Sequence, residues 1–228
     1  MQPVVWRIEH YPSLDSSQDE LRRRLDAGAD IHGLAVRVDV QTAGRGQRAR
    51  DWSSAAGGSW QSAALRGNAH PASPLFIALG LAGTLRQLPG AAGLRLKWPN
   101  DLLLQGRKFG GVLCEASRGY LLIGVGINVR NEPPPDATRL GEAEPGQVHS
   151  LVLDGITAGW RLMREQPGLL PEAWAEYDAL YGQKLQLERA GVQLSGTARG
   201  VDLSGRLKLR TAEGELLLDS AAGLRRTA

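Results

Sequence analysis

The chain has 228 residues, of which 42% are hydrophobic and 22% are charged, an ordinary composition for a globular protein with one substantial core. Its 27 lysines and arginines against 24 acidic residues give a net charge of +3, too small a surplus to indicate nucleic-acid binding by itself. The one cysteine excludes an intrachain disulfide and a thiolate metal cluster. Because no signal-peptide pattern and no apolar run of about 20 residues is present, we expect a cytoplasmic protein without a membrane span.

Hydrophobic periodicity predicts helices and strands in alternation over the first 181 residues. The first helix has a capping box formed by Ser17 and Glu20. A hairpin turn is predicted at residues 105–107. In chain order we predict a strand at 4–8, a loop through Pro12, a helix at about 19–27, a strand at 34–40, a loop to about 58, a helix from Pro74 to Leu88, strands at 94–98, 101–104, 111–115 and 120–129, a loop at 131–146, and helices near 151–164 and 170–181.

The pattern changes from Gly182 onward. Short alternating runs occur at 184–188, 194–199, 206–210 and 215–218, and glycine turns separate them. This pattern is typical of a small all-β barrel. We therefore predict an α+β protein with a mixed α+β domain at residues 1–181 and a small β-barrel at residues 182–228.

A segment rich in glycine and arginine runs from Gln41 to Trp52. Its glycines let the backbone approach a ligand closely. Its arginines, Arg45, Arg48 and Arg50, are planar cations suited to carboxylate and phosphate groups. These residues predict an anion-binding loop that its ligand could order. Two alternatives remain for this segment alone, a solvated basic loop and a loop that contacts RNA phosphates.

A second polar segment, Lys97-Trp-Pro-Asn-Asp101, follows a predicted strand. A cation beside a carboxylate is what a site for Mg²⁺ and a nucleotide needs, because Mg²⁺ prefers hard oxygen ligands. The plain alternative is that Pro-Asn-Asp is a turn with no further role. Lys108 stands just before a glycine pair that opens an apolar strand, and it could lean over the same site.

Together these segments resemble the biotin–protein ligase family, over about residues 14–129. The family has a G-R-G-x-x-G-R-x-W loop, a K-W-P-N-D turn and an R-K-x-x-G-[IV]-L-x-E strand. The matching segments are Gly44–Trp52, Lys97–Asp101 and Arg107–Glu115, and the D-S-T-N-like Asp15-Ser-Ser-Gln18 and the strand Ile123-Gly-Val-Gly-Ile-Asn128 stand in family order with them. The resemblance implies a mixed-sheet catalytic domain like that of class II aminoacyl-tRNA synthetases, followed by an SH3-like β-barrel.

The resemblance also implies a two-step reaction. The carboxylate of biotin attacks the α-phosphate of Mg²⁺·ATP, which gives biotinyl-5′-adenylate and pyrophosphate. A lysine of the biotin carboxyl carrier protein of acetyl-CoA carboxylase then attacks the adenylate to form an amide. Both steps move negative charge on phosphate oxygens, so positioned cations are the expected catalysts.

Carried over by motif, the site residues fall into three groups. The implied catalytic residues are Lys108 and Arg45. The implied biotin-binding residues are Ser16, Ser17, Gln18, Gln41, Arg45, Gly46, Gln47, Lys108 and Gly111. The implied nucleotide-binding residues are Arg48, Arg50, Trp52, Lys97, Asn100, Asp101 and Asn128. Asp101 is the candidate Mg²⁺ ligand, and Asn128 could instead support the core.

The loop departs from the family pattern at Gln47, where the family often has arginine, and at Ala49, where it has glycine. Gln47 removes a cation that would help to hold the adenylate. We hypothesise that loop closure relies on backbone contacts and on Trp52 instead.

Two other functions compete with this interpretation. A lipoate–protein ligase or octanoyltransferase shares the broad fold, but its substrate needs a long apolar slot rather than the polar Ser16, Ser17 and Gln41. An RNA- or nucleotide-binding module would leave Lys97–Asp101 and Lys108 unexplained.

Only a strand and a loop are predicted before the first helix, so we expect no DNA-binding module and no repressor role. The family often forms homodimers by strand pairing, and the sequence leaves the oligomeric state and the acceptor open.

Overall fold

The structure is a computed structural model that describes residues 3–47, 50–189, 192–219 and 222–226. The strands are β1 (Arg7–Leu14), β2 (Leu34–Gln41), β3 (Ser59–Arg66), β4 (Arg95–Lys97), β5 (Asp101–Leu104), β6 (Arg107–Ser117), β7 (Tyr120–Ile127), β8 (Lys184–Arg189), β9 (Val192–Val201), β10 (Leu207–Thr211), β11 (Gly214–Leu218) and β12 (Ala222–Arg226). The helices are α1 (Ser17–Asp26), α2 (Ser73–Leu85), α3 (Pro145–Glu165) and α4 (Leu170–Ala175), with a 3₁₀ turn at Pro167–Leu169.

A seven-stranded mixed sheet in the order β1-β2-β3-β7-β6-β5-β4 forms the centre of the protein. β1 and β2 are parallel, and the other neighbouring strands are antiparallel. Helices cover both faces. Leu34 and Val36 of β2 pack with Leu21 of α1, whereas Ala35, which lies between them, packs in the core that contains α2 and α3. Successive strand residues point to opposite faces, so the sheet is the middle layer of three.

Helices α2 and α3 pack together unusually closely. A Cβ atom on Gly80 of α2 would lie 2.0 Å from the carbonyl oxygen of Gly155 of α3, and one on Gly159 would lie 2.3 Å from the carbonyl oxygen of Phe76. Glycine at these positions lets the two helix backbones approach each other. The pair therefore forms a rigid layer beneath the sheet.

The remaining strands form a five-stranded antiparallel sheet in the order β11-β10-β9-β8-β12. Leu185 and Leu207 of this sheet belong to the same buried cluster as α2. The hydrophobic core is thus continuous between the two sheets.

The α+β class and the order of most elements are confirmed, with four corrections. β1 extends through Pro12 to Leu14, where a loop was expected, and pairs in parallel with β2. Strand β3 was missed because its small and polar residues give no clear alternation. Helix α4 ends at Ala175, short of the expected Tyr181. The terminal strand β12 was also missed.

The cap of α1 was assigned one residue too late. Ser16, not Ser17, is the N-cap, and its side chain accepts a hydrogen bond from the backbone N–H of Asp19. Ser17 is the first helical residue, and its hydroxyl is bonded to Gln41 instead. This shift places two serine hydroxyls at the start of α1.

Among the described residues, no helix is both long and apolar enough to cross a membrane. The division of the chain between residues 181 and 182 stays a prediction.

Candidate active site

A cavity of about 460 Å³ lies on the α1 side of the seven-stranded sheet. Its floor consists of Gly111 on β6, which pairs with Gly126 on β7, and of Gly124 two residues before Gly126. A Cβ atom on Gly124 would lie 2.3 Å from Gln18 Oε1, and one on Gly126 would lie 2.6 Å from Trp52 Nε1. Because glycine has no side chain, the sheet surface at these positions is open to a ligand.

One end of the cavity is lined by hydroxyl and amide groups. The backbone N–H and the hydroxyl of Ser17 both donate to Gln41 Oε1, at 2.8 and 3.0 Å. Gln41 Nε2 donates to Ser54 Oγ at 2.8 Å. The hydroxyls of Ser17 and Ser62 are 2.8 Å apart. This end can both donate and accept hydrogen bonds, as a cyclic urea requires.

A cluster of charged side chains lies beside this polar end. Arg45 of the loop donates to Asp19 Oδ1 at 2.6 Å and to Glu115 Oε1 at 3.1 Å. Arg22 of α1 donates to the same two carboxylates, and Gln18 Nε2 donates to Glu115 Oε2 at 2.6 Å. Burial acts to lower the pKa of Arg45, but Asp19 and Glu115 outweigh burial and raise it. The cluster fixes the base of the loop to α1 and β6.

The glycine–arginine segment, predicted to be an irregular loop, is a narrow hairpin. The Trp52 N–H donates to the Gly44 carbonyl at 2.8 Å, and the Gly46 N–H donates to the Arg50 carbonyl at 2.7 Å. Arg45 and Asp51 form an isolated antiparallel bridge. Arg48 and Ala49 lie outside the described residues. Backbone bonds therefore shape this loop on both sides of Gln47.

The middle of the cavity is cationic. Lys108 Nζ lies 2.5 Å from Asp101 Oδ1 and 4.8 Å from the centre of the Trp52 ring. A Cβ atom on Gly111 would lie 3.5 Å from this ammonium group. Lys97 also lines the cavity. The ammonium of Lys108 is thus held above the glycine floor, between a carboxylate and an aromatic face.

The Lys97–Asp101 turn is fixed to β6. Asn100 Nδ2 donates to the Val112 carbonyl at 2.7 Å, and the Val112 N–H donates to the Asn100 carbonyl at 3.0 Å. The amide of Asn100 therefore holds the turn against the strand that carries Lys108.

Residues 128–141 cross the far end of the cavity. Asn128 Nδ2 donates to the Thr138 carbonyl at 3.1 Å, and the Thr138 N–H donates to the Lys108 carbonyl at 2.8 Å. Asn128 is 4% exposed, and it also accepts a hydrogen bond from Asn131. Its side chain lines the cavity and supports the segment at the same time. Asp136 of the segment lines the cavity too.

The comparison with known families gives one match that spans more than half of the chain. The biotin/lipoate A/B protein ligase family matches residues 13–131. The chain belongs to this family. The match contains the site segments from the start of α1 to Asn131, whereas the rest of the 128–141 segment lies beyond it, and it agrees with the resemblance found in the motifs.

Similar proteins and structures agree with this family. The chain is 34% identical to a biotin–[acetyl-CoA-carboxylase] ligase of Mycobacterium tuberculosis over 90% of this chain and 84% of that protein. It is 34% identical to the enzyme of the same name from Paracoccus denitrificans, over 79% and 85%. A solved biotin protein ligase of Aquifex aeolicus in complex with biotin and ATP superposes with a TM-score of 0.84 at 27% identity, over 96% of this chain and 99% of that one.

The fold brings the predicted site residues of this family member into one cavity. Every predicted residue that the structure describes lines it: Ser16, Ser17, Gln18, Gln41, Arg45, Gly46, Gln47, Arg50, Trp52, Lys97, Asn100, Asp101, Lys108, Gly111 and Asn128. Arg48 lies outside the described residues. Their individual roles stay predictions.

Sequence reasoning missed five residues that shape the cavity: Asp19, Arg22, Ser62, Glu115 and Asp136. Glu115 is the last letter of a motif, so its position was known but its partners were not. Asp19 was interpreted only as a residue in the first turn of the predicted helix. Asp136 lies in a segment with no period, which gave no signal.

Proposed function

We propose that this chain is an ATP-dependent biotin–protein ligase that makes biotinyl-5′-adenylate and transfers biotin to a lysine of a biotin carboxyl carrier protein. The observation that carries the proposal is a single cavity with a hydrogen-bonding polar end and a cationic middle. A molecule with a polar head and a carboxylate tail fits this arrangement, and Lys97, Asn100 and Asp101 line another part of the same cavity, which we assign to a nucleotide. The names of the relatives and the ligands of the Aquifex aeolicus structure support it.

The polar end suits the ureido ring of biotin. Ser16, Ser17, Gln18 and Gln41 offer donors and acceptors around a slot whose floor is the backbone at Gly111. The ring carbonyl needs donors and the ring N–H groups need acceptors, and hydroxyl and amide groups supply both. We assign Gly46 and Gln47 to the hairpin that covers this slot.

We assign Lys108 to the place where the biotin carboxylate would meet the α-phosphate. In the first step a carboxylate oxygen bonds to the α-phosphorus, the bond to the bridging oxygen breaks, and pyrophosphate leaves. Two anions must approach each other, so an ammonium group held between them lowers the barrier. We assign Arg45 to the same step as the cation that holds the hairpin in register, through Asp19 and Glu115.

We assign the rest of the cavity to the nucleotide. The assigned residues are Arg48, Arg50, Trp52, Lys97, Asn100, Asp101 and Asn128. In the second step the lysine amine of the carrier attacks the biotinyl carbonyl carbon, AMP leaves, and the amine loses a proton. Cations near the α-phosphate also stabilise AMP as a leaving group.

The chemistry of the site fits Mg²⁺ bound mainly through ATP. Among the described residues no group of three or more metal-ligating side chains comes together, and Mg²⁺ commonly takes one or two carboxylates together with substrate phosphates. Asp101, beside Lys108, would supply one such oxygen. Mg²⁺ would neutralise phosphate charge there.

Three further assignments extend the proposal. We infer that residues 1–181 form the catalytic domain and residues 182–228 the small β-barrel, since the second sheet begins at Lys184. We expect the protein to work in the cytoplasm, where its carrier substrate is made. A homodimer formed by strand pairing is a further prediction, tested by sedimentation of the purified chain.

One assay tests the function. The purified chain is mixed with Mg²⁺·ATP, biotin and a carrier domain, and pyrophosphate release and the mass of the carrier are followed. We expect biotin-dependent pyrophosphate and a carrier heavier by one biotinyl group. Failure to release pyrophosphate with biotin would contradict the proposal, and turnover with lipoate in place of biotin would assign the chain to the lipoate branch of its family.

A further inference from the structure

The turn between β9 and β10 of the second sheet contacts the Lys97–Asp101 turn of the first sheet. The indole N–H of Trp98, in the Lys97–Asp101 turn, donates to the carbonyl of Gly205 at 2.9 Å, a buried hydrogen bond between residues 107 positions apart. Trp98 is 2% exposed, and it lines the cavity together with its neighbours Lys97 and Asn100. A buried indole N–H needs an acceptor, and this one finds it outside the seven-stranded sheet.

The turn that presents this acceptor, residues 202–206, is itself braced. Asp202 Oδ1 accepts from the backbone N–H groups of Ser204 and Arg206, both at 2.9 Å. Asp202 Oδ2 accepts from Arg206 Nε at 2.8 Å. Burial acts to raise the pKa of Asp202, but its bonds to Arg206 and Ser204 outweigh burial and lower it. One carboxylate therefore sets the shape of the turn.

The backbone conformation at position 205 and the close packing around it both require glycine. Its φ is +79°, in the left-handed region that favours glycine. A Cβ atom on it would lie 2.5 Å from the Cβ of Ala72, at the start of α2. The turn is thus wedged between α2 and Trp98, and its carbonyl has little freedom to move.

The other edge of β4 is also held from the C-terminal side. Leu96 N–H donates to the Tyr177 carbonyl and the Ala179 N–H donates to the Leu96 carbonyl, both at 2.8 Å. β4 has three residues and is the edge strand of its sheet, so β5 alone would hold it weakly. The segment 177–179 and the turn 202–206 together clamp the strand that leads into the Lys97–Asp101 turn.

We propose that the turn 202–206 is a positioning element of the active site, and that it fixes the nucleotide-binding Lys97–Asp101 turn through the Trp98–Gly205 hydrogen bond. The proposal rests on the proposed function, because Lys97–Asp101 is assigned there to ATP. It gives the C-terminal β-sheet a part in ATP binding although its strands lie outside the cavity. Biotin binding, at the Ser17–Gln41 end, does not depend on it.

The test compares two tryptophan variants of the full chain. Trp98→Phe keeps a large ring and deletes the N–H that Gly205 accepts. Trp174→Phe makes the same deletion at a buried tryptophan whose indole N–H has no hydrogen-bond partner among the described residues. The KM for ATP is measured by biotin-dependent ATP–pyrophosphate exchange, and the Kd for biotin by calorimetry without ATP.

We expect Trp98→Phe to raise the KM for ATP about five- to tenfold, the effect of one buried hydrogen bond, with the biotin Kd unchanged. Trp174→Phe leaves both constants unchanged. Equal KM values for ATP in the two variants would overturn the proposal, and so would a parallel loss of biotin affinity in Trp98→Phe, which would show general loosening.

A second variant keeps the test decisive if Trp98→Phe unfolds. Asp202→Ala removes the brace of the turn and leaves Trp98 intact, with Asp26→Ala, an exposed aspartate paired to Arg118, as its control. Asp202→Ala should raise the KM for ATP, and it should add little in a Trp98→Phe background because both changes break one connection. An unchanged KM in Asp202→Ala, or full additivity of the two changes, would refute the proposal.

The two proposals fail in different ways. If the wild-type chain shows no biotin-dependent exchange, the proposed function fails. The positioning role is then judged from the Kd for Mg²⁺·ATP of the wild type and the same variants, and an equal Kd in Trp98→Phe and Trp174→Phe would overturn it.

Discussion

Lys108 is the residue on which most of the proposed chemistry depends. Its ammonium group contacts the carboxylate of Asp101 and the face of Trp52, and it stands over Gly111. Its side chain is 36% exposed, so the core does not depend on it. Because the Lys108 side chain contacts cavity residues but does not pack in the core, its mutation should affect activity more than stability.

We expect Lys108→Ala to slow adenylate formation by about 10²–10³-fold, as loss of one preorganised cation does, with the melting temperature almost unchanged. ATP–pyrophosphate exchange and thermal unfolding measure the two effects. Lys208→Ala, on β10 away from the cavity, is the control. Near-normal exchange in Lys108→Ala would remove this lysine from the mechanism.

Gln47 tests how the hairpin retains the adenylate. Backbone bonds between Gly44 and Trp52 and between Gly46 and Arg50 already shape the hairpin. We therefore expect Gln47→Arg to change the rate of adenylate release by no more than about threefold, because the backbone bonds already hold the hairpin and a single cation at this partly exposed position adds little. Release from preformed complex is followed after dilution. A large decrease in the release rate would show that the missing cation matters.

At the scale of elements, the cavity depends on two strands, β6 and β7, that carry glycine at three positions on the face towards α1. Gly111 of β6 pairs with Gly126 of β7, and Gly124 lies two residues before Gly126 on the same face. Glycine weakens a strand because it has no side chain to pack. Here that loss leaves the ligand slot open. The flanking polar groups of α1 and β2 then close the slot from above.

Gly124→Ala tests this floor. The added Cβ would come within 2.3 Å of Gln18 Oε1, the end of a flexible side chain, so the fold should survive while Gln18 leaves its place beside Glu115. We expect the biotin Kd to rise about tenfold, the effect of disrupting one charge-assisted hydrogen bond. Calorimetry measures it, with Gly83→Ala, where a Cβ meets open space, as the matched control. Unchanged biotin affinity in Gly124→Ala would argue against this slot.

At the scale of the whole molecule, the α3 layer buries an ionisable group against the sheet. His149 is 9% exposed, and its Nε2 has no hydrogen-bond partner among the described residues. Burial, with the nearby Arg37 and His10, lowers the pKa of His149 from 6.5 to about 4. The folded state therefore holds this imidazole neutral, whereas the unfolded chain protonates it near pH 6.5.

The lowered pKa of His149 makes the stability of the protein depend on pH. Between pH 6.5 and 4 the unfolded state binds more protons at this site, so stability falls as the pH is lowered through that range. The loss from His149 is about 3 kcal/mol by pH 4. Urea unfolding of wild type and His149→Gln at several pH values should show a shallower decline in the variant. Identical slopes would place the acid sensitivity elsewhere, and His32→Gln, an exposed histidine, serves as the control.

The sequence predicted correctly which residues line one cavity where the functional groups lie together in short motifs. Lys97–Asp101 and Lys108 were assigned to one site from residue types and motif order alone, and the fold brings them together. Prediction from the sequence failed where an element is recognisable only from its contacts in the folded protein. β3 carries Ser62 of the cavity wall, but its small side chains hide the strand because they are buried on both faces.

The sequence by itself determined the family, the α+β class and the residues that meet in the cavity, because motifs specify which groups are present and in what order. The tertiary structure alone decided which partner each group has. Arg45 is held by Asp19 and Glu115, and Trp98 by Gly205. These pairs are 26, 70 and 107 positions apart, and distances of that kind are closed by packing of the sheets and helices rather than by any local propensity.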